Sequence, residues 1–246
     1  MYRCDSLPEV TLKWAQTLDG QLADDNNQSQ WISGLEERRY THQLRSNHQA
    51  ILVGAQTFLK DQCQLTVRDI GYDGPQPARI IIDPRGRIAQ ALRQHPHLII
   101  DLHSGPRRTY LLTDILEDTE DIENMFDPEK LIRINYRFND FNQWLKGSLR
   151  QLSRTFEITE HRRLLHLMVE GGPATLSEFL KAGLAHRLEI AISPLILGGQ
   201  RHRVYTDFLL HNVDRFEIES KEQLGVDILL RYRIPPATPT KQAATI

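Results

Sequence analysis

The residues best suited to chemistry stand in the segment LLHLMVEGGPATLSEFLKAG, residues 164–183. An apolar run ends in Glu170, two glycines follow, and Pro173 opens an amphipathic pattern that Gly183 ends. Pro suits the first position of a helix and Gly the position after one, so the pattern predicts a strand, a glycine turn and a helix. Backbone N–H groups at such a helix N-terminus can bind a pyrophosphate, because glycine places no side chain in the way.

The two glycines alone leave two interpretations open. The dinucleotide fingerprint G-x-G-x-x-G is absent, so a tight turn without a ligand also fits these residues. Glu170 favours a binding site, because open α/β sheets bind ligands at the carboxyl ends of their strands, although an ordinary solvated carboxylate is the alternative. The segment Asp83-Pro84-Arg85-Gly86 reads as a type I turn after another apolar run, and we assign Asp83 no catalytic role.

The elements that must position these residues alternate along the chain. Runs rich in Val, Ile and Leu predict strands buried on both faces, at 10–14, 50–53, 79–82, 98–100, 109–113, 131–134 and 164–169. Apolar periodicity predicts helices at 35–47, 140–152 and 174–182. The late segments RLEIAISPLIL, RFEIES and VDILLRYRI predict antiparallel pieces. The alternation predicts an α/β fold with a mainly parallel, mixed central sheet and flanking helices.

The length of 246 residues suits one large domain, which we place at residues 1–234, with two independent domains as the less favoured alternative. Residues 101–128 are polar and contain Gly and Pro, so we expect a surface connection there. The tail PPATPTKQAATI, residues 235–246, has the composition of a disordered end.

Composition excludes several classes of partner. The formal net charge of -2 comes from interspersed signs, so we expect neither nucleic acid nor an anionic membrane surface as a partner. The two cysteines, Cys4 and Cys63, have no metal-binding spacing and the ten histidines no paired motif, so we expect no metal site. The N-terminus lacks the apolar region of a signal peptide, and no apolar stretch is long enough to span a membrane. A reducing, cytoplasmic setting fits these features.

Six motifs follow one another in a characteristic order: VTLKWAQTLDGQLA, SQWIS, QLRSNHQAILVGAQTFLKDQCQLTVR, PARIIIDPRGRI, LMVEGGPATL and AISPLILGG. Together they resemble the C-terminal reductase domain of the bifunctional riboflavin-biosynthesis deaminase-reductase, over most of residues 10–199. The resemblance implies a dihydrofolate-reductase-like fold, NADPH as cofactor, a homodimer, and reduction of the ribosyl group of a phosphorylated pyrimidine to ribityl.

The resemblance also implies roles for individual residues. It gives Lys13 and Glu170 catalytic roles. The substrate contacts that it implies are Ser29, Arg45, Leu65, Arg68 and Glu170. The cofactor contacts that it implies are Ala15, Trp31, Thr57, Asp61, Gly171, Gly172, Pro173, Ala174, Thr175 and Leu176.

Several of these residues, taken singly, also fit purely structural positions. Trp31 also suits a core position, Arg45 the C-terminus of a helix, and Thr57 a helix cap. The segment Ser33-Gly34-Leu35-Glu36 independently predicts a capping box that opens the next helix.

The sequence departs from the family pattern at several positions. Thr17 and Pro84 stand where the family often has Ser, and D-Q-C-Q-L-T-V-R replaces D-D-P-x-L-T-x-R. The change at Pro84 removes one expected cofactor contact, and Arg85 or Arg87 becomes the candidate reader of a 2′-phosphate. In D-Q-C-Q-L-T-V-R, a cysteine replaces the proline of the family pattern, and this change loosens the loop before Arg68.

The function implied is NADPH-dependent reduction of 5-amino-6-(5-phosphoribosylamino)uracil to its ribitylamino form, with hydride added at C1′ of the ribose. The zinc deaminase signature, His-x-Glu with Pro-Cys-x-x-Cys, does not occur, so we expect a separate deaminase in the pathway. Two alternatives stay open: a reductase of the same fold for a diaminopyrimidine phosphate or a pterin, and a non-catalytic NADPH-binding protein.

Overall fold

The computed structural model describes residues 7–26, 28–29, 32–98, 102, 107–114, 127, 129–137, 140–199, 202–204 and 216–234. The strands are β1 (Glu9–Thr17), β2 (Ala50–Gly54), β3 (Ala78–Asp83), β4 (Thr109–Thr113), β5 (Leu131–Asn135), β6 (His166–Val169), β7 (Arg187–Ser193), β8 (Glu217–Leu224) and β9 (Asp227–Arg233). The helices are α1 (Leu35–Ser46), α2 (Ala55–Asp61), α3 (Arg87–Gln94), α4 (Phe141–Glu160) and α5 (Pro173–Lys181).

The nine strands of the described residues belong to one sheet, in the order β5-β4-β3-β2-β6-β1-β7-β9-β8. Neighbouring strands are parallel except where β9 pairs with β7 and with β8, so β9 is the reversed strand among those described. The predicted α/β class with a mainly parallel, mixed sheet is therefore confirmed. Late in the chain, β6 inserts between β2 and β1, which brings the Glu170 segment to the middle of the sheet.

The sheet has an apolar cluster on each face, which explains the continuous apolar runs of its strands. In β2, Ala50 and Leu52 join the cluster covered by α4 and α5, whereas Ile51 and Val53 join the cluster on the side of α2 and α3. In β1, Val10, Leu12 and Trp14 also belong to the first cluster. Because side chains alternate along a strand, Thr11 and Lys13 lie on the opposite face, the face that α1 covers.

Most predicted elements are confirmed, with their boundaries shifted by a few residues. The strand predicted at 98–100 is wrong at Leu98, where the backbone is helical; residues 99 and 100 lie outside the described part of the chain. A three-residue apolar run cannot distinguish a buried strand from a buried helical turn. Helices α2 and α3 were not predicted, and α4 continues beyond the predicted end to Glu160. Trp31, the predicted tail at 235–246 and most of the predicted connection at 101–128 lie outside the described residues.

The end of α5 follows the predicted glycine chemistry. Gly183 has a φ of 62° and donates its N–H to the carbonyl of Leu180, while Leu184 N donates to the carbonyl of Phe179. These two bonds make a Schellman motif, which satisfies the last carbonyl groups of the helix. Among the described helices, none is long and apolar enough to cross a membrane.

The start of α1 differs from the predicted capping box. The N-cap is Gly34 and not Ser33, and no side chain of the described helix caps its own first turn. Instead the carboxylate of Asp227, at the start of β9, accepts a hydrogen bond of 2.6 Å from Gly34 N. The box was wrong because the helix begins one residue later than the motif predicts, and its N-cap N–H donates to a distant carboxylate instead of to the glutamate of a capping box. The helix is thereby tied to the β8–β9 hairpin.

Replacing Asp227 by Ala removes the acceptor of this helix terminus and leaves Gly34 N without that partner. We expect the free energy of unfolding to fall by about 1–3 kcal/mol, as when a partly buried donor loses its acceptor. Urea unfolding measures this, with Glu217→Ala on the exposed edge of β8 as the control, expected to change stability by less than about 0.5 kcal/mol. Equal effects of the two substitutions would show that Asp227 does not anchor α1.

Candidate active site

A cavity of 1170 Å³ lies at the carboxyl ends of β1, β2, β3 and β6, between the N-terminal ends of α2, α3 and α5. Its volume exceeds the range of about 300–1,000 Å³ that is typical of a pocket for one small ligand, so it has room for two. The carboxyl edge of a parallel sheet is also where α/β proteins bind their ligands. The predicted site residues that line it are Lys13, Ala15, Ser29, Thr57, Asp61, Glu170, Gly171, Gly172, Pro173, Ala174 and Thr175.

Glycines form the backbone wall of the cavity. Gly54 is the N-cap of α2, and Gly172 is the N-cap of α5. Because glycine has no side chain, neither N-cap accepts a hydrogen bond from the first turn of its helix. A Cβ on Gly171 would lie 2.6 Å from Thr175 Cβ, and one on Gly172 would lie 3.3 Å from Thr57 Oγ1. The first turn of α5 therefore meets the cavity without a capping side chain, an arrangement suited to an anion.

Lys13 forms a buried ion pair at the wall of the cavity. Its Nζ lies 2.6 Å from Glu37 Oε1, with 9% of the lysine side chain exposed and none of the glutamate side chain. Burial raises the pKa of the Glu37 carboxyl, but the Lys13 ammonium outweighs burial and holds that pKa below its usual value of 4.5. The Glu37 carboxyl is therefore charged at neutral pH, and the lysine that it binds lines the cavity.

Glu170 forms the second ion pair, with Arg45. Its two carboxylate oxygens accept hydrogen bonds of 2.6 Å each from Nε and Nη2 of Arg45. Burial raises the pKa of the Glu170 carboxyl, but Arg45 lowers it further than burial raises it, and Lys13 adds to the effect. Glu170 is therefore a carboxylate at neutral pH, held in one orientation at the floor of the cavity.

Further basic side chains surround Thr66. Its carbonyl accepts a hydrogen bond of 3.0 Å from Arg45 Nη1, and its hydroxyl accepts one of 3.2 Å from Arg68 Nη1. Burial, Arg45 and Arg68 lower the pKa of His42, so this histidine is neutral at physiological pH. Burial and neighbouring arginines also lower the pKa of the Arg107 guanidinium, to about 9. Positive charge is thus in excess beside the cavity, which favours an anionic ligand group.

Some residues implied by the resemblance do not line the cavity. Arg45 and Arg68 stand beside it, Leu65 is buried with a φ of 53°, and Leu176 is a core residue. Asp83, which was assigned no catalytic role, does line the cavity, but its buried carboxylate accepts hydrogen bonds from the first turn of α3. Among the residues with a structural description, no group of three or more His, Cys, Asp or Glu side chains is placed to hold a metal ion.

Several other residues of the site carry no signal in the sequence. Glu37 is one of many charged residues in a polar helix, and only the packing of α1 on β1 shows that it is buried. The further cavity residues that were missed include Arg38, Lys60, Phe141, Glu178 and His202.

The pair between Arg45 and Glu170 predicts how stability depends on pH. Because folding lowers the pKa of Glu170, its contribution to stability is complete above about pH 4.5 and is lost as the pH falls through the folded-state value. At about pH 7, Glu170→Gln should lower the free energy of unfolding by about 3 kcal/mol, since it leaves Arg45 without a counter-charge. Urea unfolding across the acid range should show this difference shrinking as the pH falls. A difference that stays constant with pH would contradict the assigned ion pair.

Comparisons with known proteins agree with this geometry. The sequence model of the family described as the RibD C-terminal domain matches residues 8–230. The riboflavin biosynthesis protein RibD of Aquifex aeolicus is 36% identical over 197 residues, which are 80% of this chain and 49% of that protein. The 2,5-diamino-6-ribosylamino-4(3H)-pyrimidinone 5′-phosphate reductase of Methanothermobacter thermautotrophicus is 28% identical over 233 residues, 92% of this chain and 98% of that protein.

The chain spans about half the length of the Aquifex relative and nearly all of the Methanothermobacter relative. Among solved structures, a diaminohydroxyphosphoribosylaminopyrimidine deaminase/5-amino-6-(5-phosphoribosylamino)uracil reductase from Thermotoga maritima superposes with a TM-score of 0.72. It is 26% identical, and the match covers 93% of this chain and 57% of the Thermotoga chain. The fold that the sequence resemblance implied is confirmed, and the chain belongs to the RibD C-terminal domain family.

Proposed function

We propose that the chain is an NADPH-dependent reductase of riboflavin biosynthesis that converts 5-amino-6-(5-phosphoribosylamino)uracil into its ribitylamino form. The observation that carries this proposal is that one cavity contains the Lys13 ammonium, the Glu170 carboxylate and the uncapped N-terminus of α5. The names of the Aquifex and Thermotoga relatives support the pathway and the reaction.

The cavity wall fits the diphosphate of a dinucleotide. In this proposal the backbone from Gly171 to Leu176 binds the diphosphate, and Thr57 lies within reach of the same turn. Ala15, Trp31 and Asp61 complete the cofactor contacts that the family resemblance implies. When bound, NADPH supplies the hydride that is added to C1′ of the substrate.

The end of β3 favours a cofactor with a 2′-phosphate. Dinucleotide-binding enzymes specific for NADH use an unpaired Asp or Glu side chain near the carboxyl end of a strand to bind the ribose hydroxyls of the cofactor. Here the carboxylate of Asp83 is buried and accepts hydrogen bonds of 2.9 and 2.8 Å from Arg87 N and Ile88 N. Arg85, Arg87 and Lys60 line the cavity nearby, so the local charge suits a phosphate.

Lys13 and Glu170 have different roles in the proposed reduction. Opening of the ribose ring breaks the C1′–O4′ bond, moves the amine proton to O4′ and leaves a carbon–nitrogen double bond at C1′. Hydride then reduces C1′, and the nitrogen takes up one proton. Glu170 has no proton to give at neutral pH, because Arg45 lowers its pKa, so we assign proton donation to the Lys13 ammonium. Glu170 then accepts hydrogen bonds from the substrate and orients it.

The excess of positive charge beside the cavity is the proposed site of the substrate phosphate. Arg68 is half exposed, and its only described ion-pair partner is Asp69, at 3.7 Å. Arg45 uses three of its five guanidinium N–H groups on Glu170 and Thr66, and the other two have no partner among the described residues. Ser29 and Leu65 complete the substrate contacts that the resemblance implies.

A second substrate is supported by one observation. The Methanothermobacter relative, matched over nearly its whole length, is named for a diamino pyrimidinone phosphate. A reductase acting before the deamination step is therefore the second candidate, and its substrate has the same ribose and phosphate.

A homodimer, a separate deaminase and a cytoplasmic location belong to the same proposal. Four exposed apolar side chains near the carboxyl ends of β1 and β7 support a second copy of the chain as partner: Leu18, Leu195, Ile196 and Leu197. They form one region, because Leu18 N donates a hydrogen bond to the carbonyl of Leu195.

The loss of NADPH absorbance with each of the two pyrimidine phosphates tests the function. We expect oxidation with at least one of them, and a decrease in turnover of about 100-fold or more in Lys13→Met, the size expected for a lost acid or charge stabiliser. Affinity for NADPH should be unchanged in that variant. Lys221→Met, at an exposed position of β8, is the matched control and should have full turnover. Normal turnover in Lys13→Met, or no oxidation with either compound, would refute the proposal.

Arg68→Ala tests the placement of the phosphate. Losing a hydrogen bond to a charged group costs about 1.5–3 kcal/mol, so substrate binding should weaken by roughly 10 to 150-fold while the Kd for NADPH is maintained. Arg150→Ala, at an exposed position of α4, should bind substrate normally. With the dephosphorylated nucleoside, Arg68→Ala and the unaltered protein should perform equally poorly. Equal weakening for both substrates would instead assign Arg68 a structural role.

A further inference from the structure

Lys13 has three carboxylates in its surroundings among the described residues, contributed by three different elements. Glu37 projects from α1, Glu170 follows β6, and Glu189 is the register partner of Lys13 on β7. Two of these carboxylates are bound to other groups. Glu170 accepts both of its short hydrogen bonds from Arg45, and Glu189 accepts one of 3.0 Å from the Tyr40 hydroxyl.

Glu189 has a second partner as well, since Arg231 Nε lies 3.3 Å from its Oε2. Glu37 is therefore the carboxylate that holds Lys13 within the described residues. Its Oε1, 2.6 Å from the lysine Nζ, also accepts a hydrogen bond of 3.1 Å from the hydroxyl of Thr41, one helical turn further on. Hydrogen bonds with the side chains of Ser33 and Thr41 also favour the charged form of Glu37.

From this arrangement we infer that Glu37 is a positioning residue for the reduction, which acts by holding Lys13 cationic and directed into the cavity. The inference rests on the proposed function. Lys13 lines the cavity and Glu37 does not, so Glu37 exerts its effect through the lysine and has no contact with the ligands.

The physical reason is the cost of a buried cation. Binding of two ligands expels water from the cavity, and desolvation favours the neutral amine over the ammonium. A neutral amine can neither stabilise negative charge nor donate the proton. A fixed carboxylate at 2.6 Å opposes this loss, so Glu37 extends the activity toward higher pH.

Three variants test the inference through kcat, the Kd for NADPH and the pH profile of kcat: Glu37→Gln, Glu37→Asp and Glu189→Gln. In Glu37→Gln we expect kcat near pH 8 to fall about 10-fold or more and the alkaline limb to move to lower pH by about one unit or more. The Kd for NADPH should change less than about 2-fold. Glu37→Asp restores the charge at a longer distance, so its limb should lie between the two.

Glu189→Gln is the matched control, because it breaks another buried contact between α1 and the sheet. It should cost stability without moving the alkaline limb. A fall in kcat with an unmoved limb in Glu37→Gln, or equal shifts in Glu37→Gln and Glu189→Gln, would show that Glu37 is only structural. If Glu37→Gln does not fold, an unmoved limb in Glu37→Asp overturns the inference.

A readout without turnover separates this inference from the proposed function. The ¹³Cε signal of Lys13, identified by its loss in Lys13→Met, can be titrated by NMR in the free protein. We expect the signal to titrate at lower pH in Glu37→Gln than in the unaltered protein, whether or not either pyrimidine is reduced. Identical titrations would overturn the inference, whereas absence of NADPH oxidation would refute the proposed function alone.

Discussion

The structure depends on the way in which α1 is held against the sheet, by buried charges that must find partners. The covered face of this helix contributes Glu37, Thr41 and Arg45, and the strands below offer Lys13 and the carboxylate of Glu170. A buried charge without a partner costs several kcal/mol, so any displacement of the helix that separates either ion pair is unfavourable.

The same constraint explains why the cavity has its chemical character. The opposite face of the sheet carries the larger apolar cluster and supplies most of the hydrophobic stabilisation, which leaves the α1 face free to be polar. Insertion of β6 between β1 and β2 then brings Glu170 and the glycine turn beside Lys13. A cation, an oriented carboxylate and an open helix N-terminus meet because strand order and charge pairing agree.

The sequence was informative where the physics is local. Apolar runs identify buried strands, and Pro173 and Gly183 specify the two ends of α5 through their own backbone preferences. It was uninformative where a distant partner decides the outcome. Asp227, nearly 200 positions away, accepts the N-cap N–H of Gly34. Glu37 looks like any solvated helix residue until β1 lies beneath it, and short helices such as α2 have too few residues to show a period.

The most direct test of the proposed reduction is isotope transfer from the cofactor to the substrate. It shows whether the cavity places C1′ of the pyrimidine substrate against a bound nicotinamide. NADPH deuterated at C4 on either face is supplied with the ribosylamino-pyrimidine phosphate in a single turnover, and the product is analysed by mass spectrometry and NMR. We predict that one of the two deuterated cofactors places a single deuterium at C1′ of the ribityl product. Product without deuterium at C1′ from either cofactor, or no product at all, would contradict the proposed reduction.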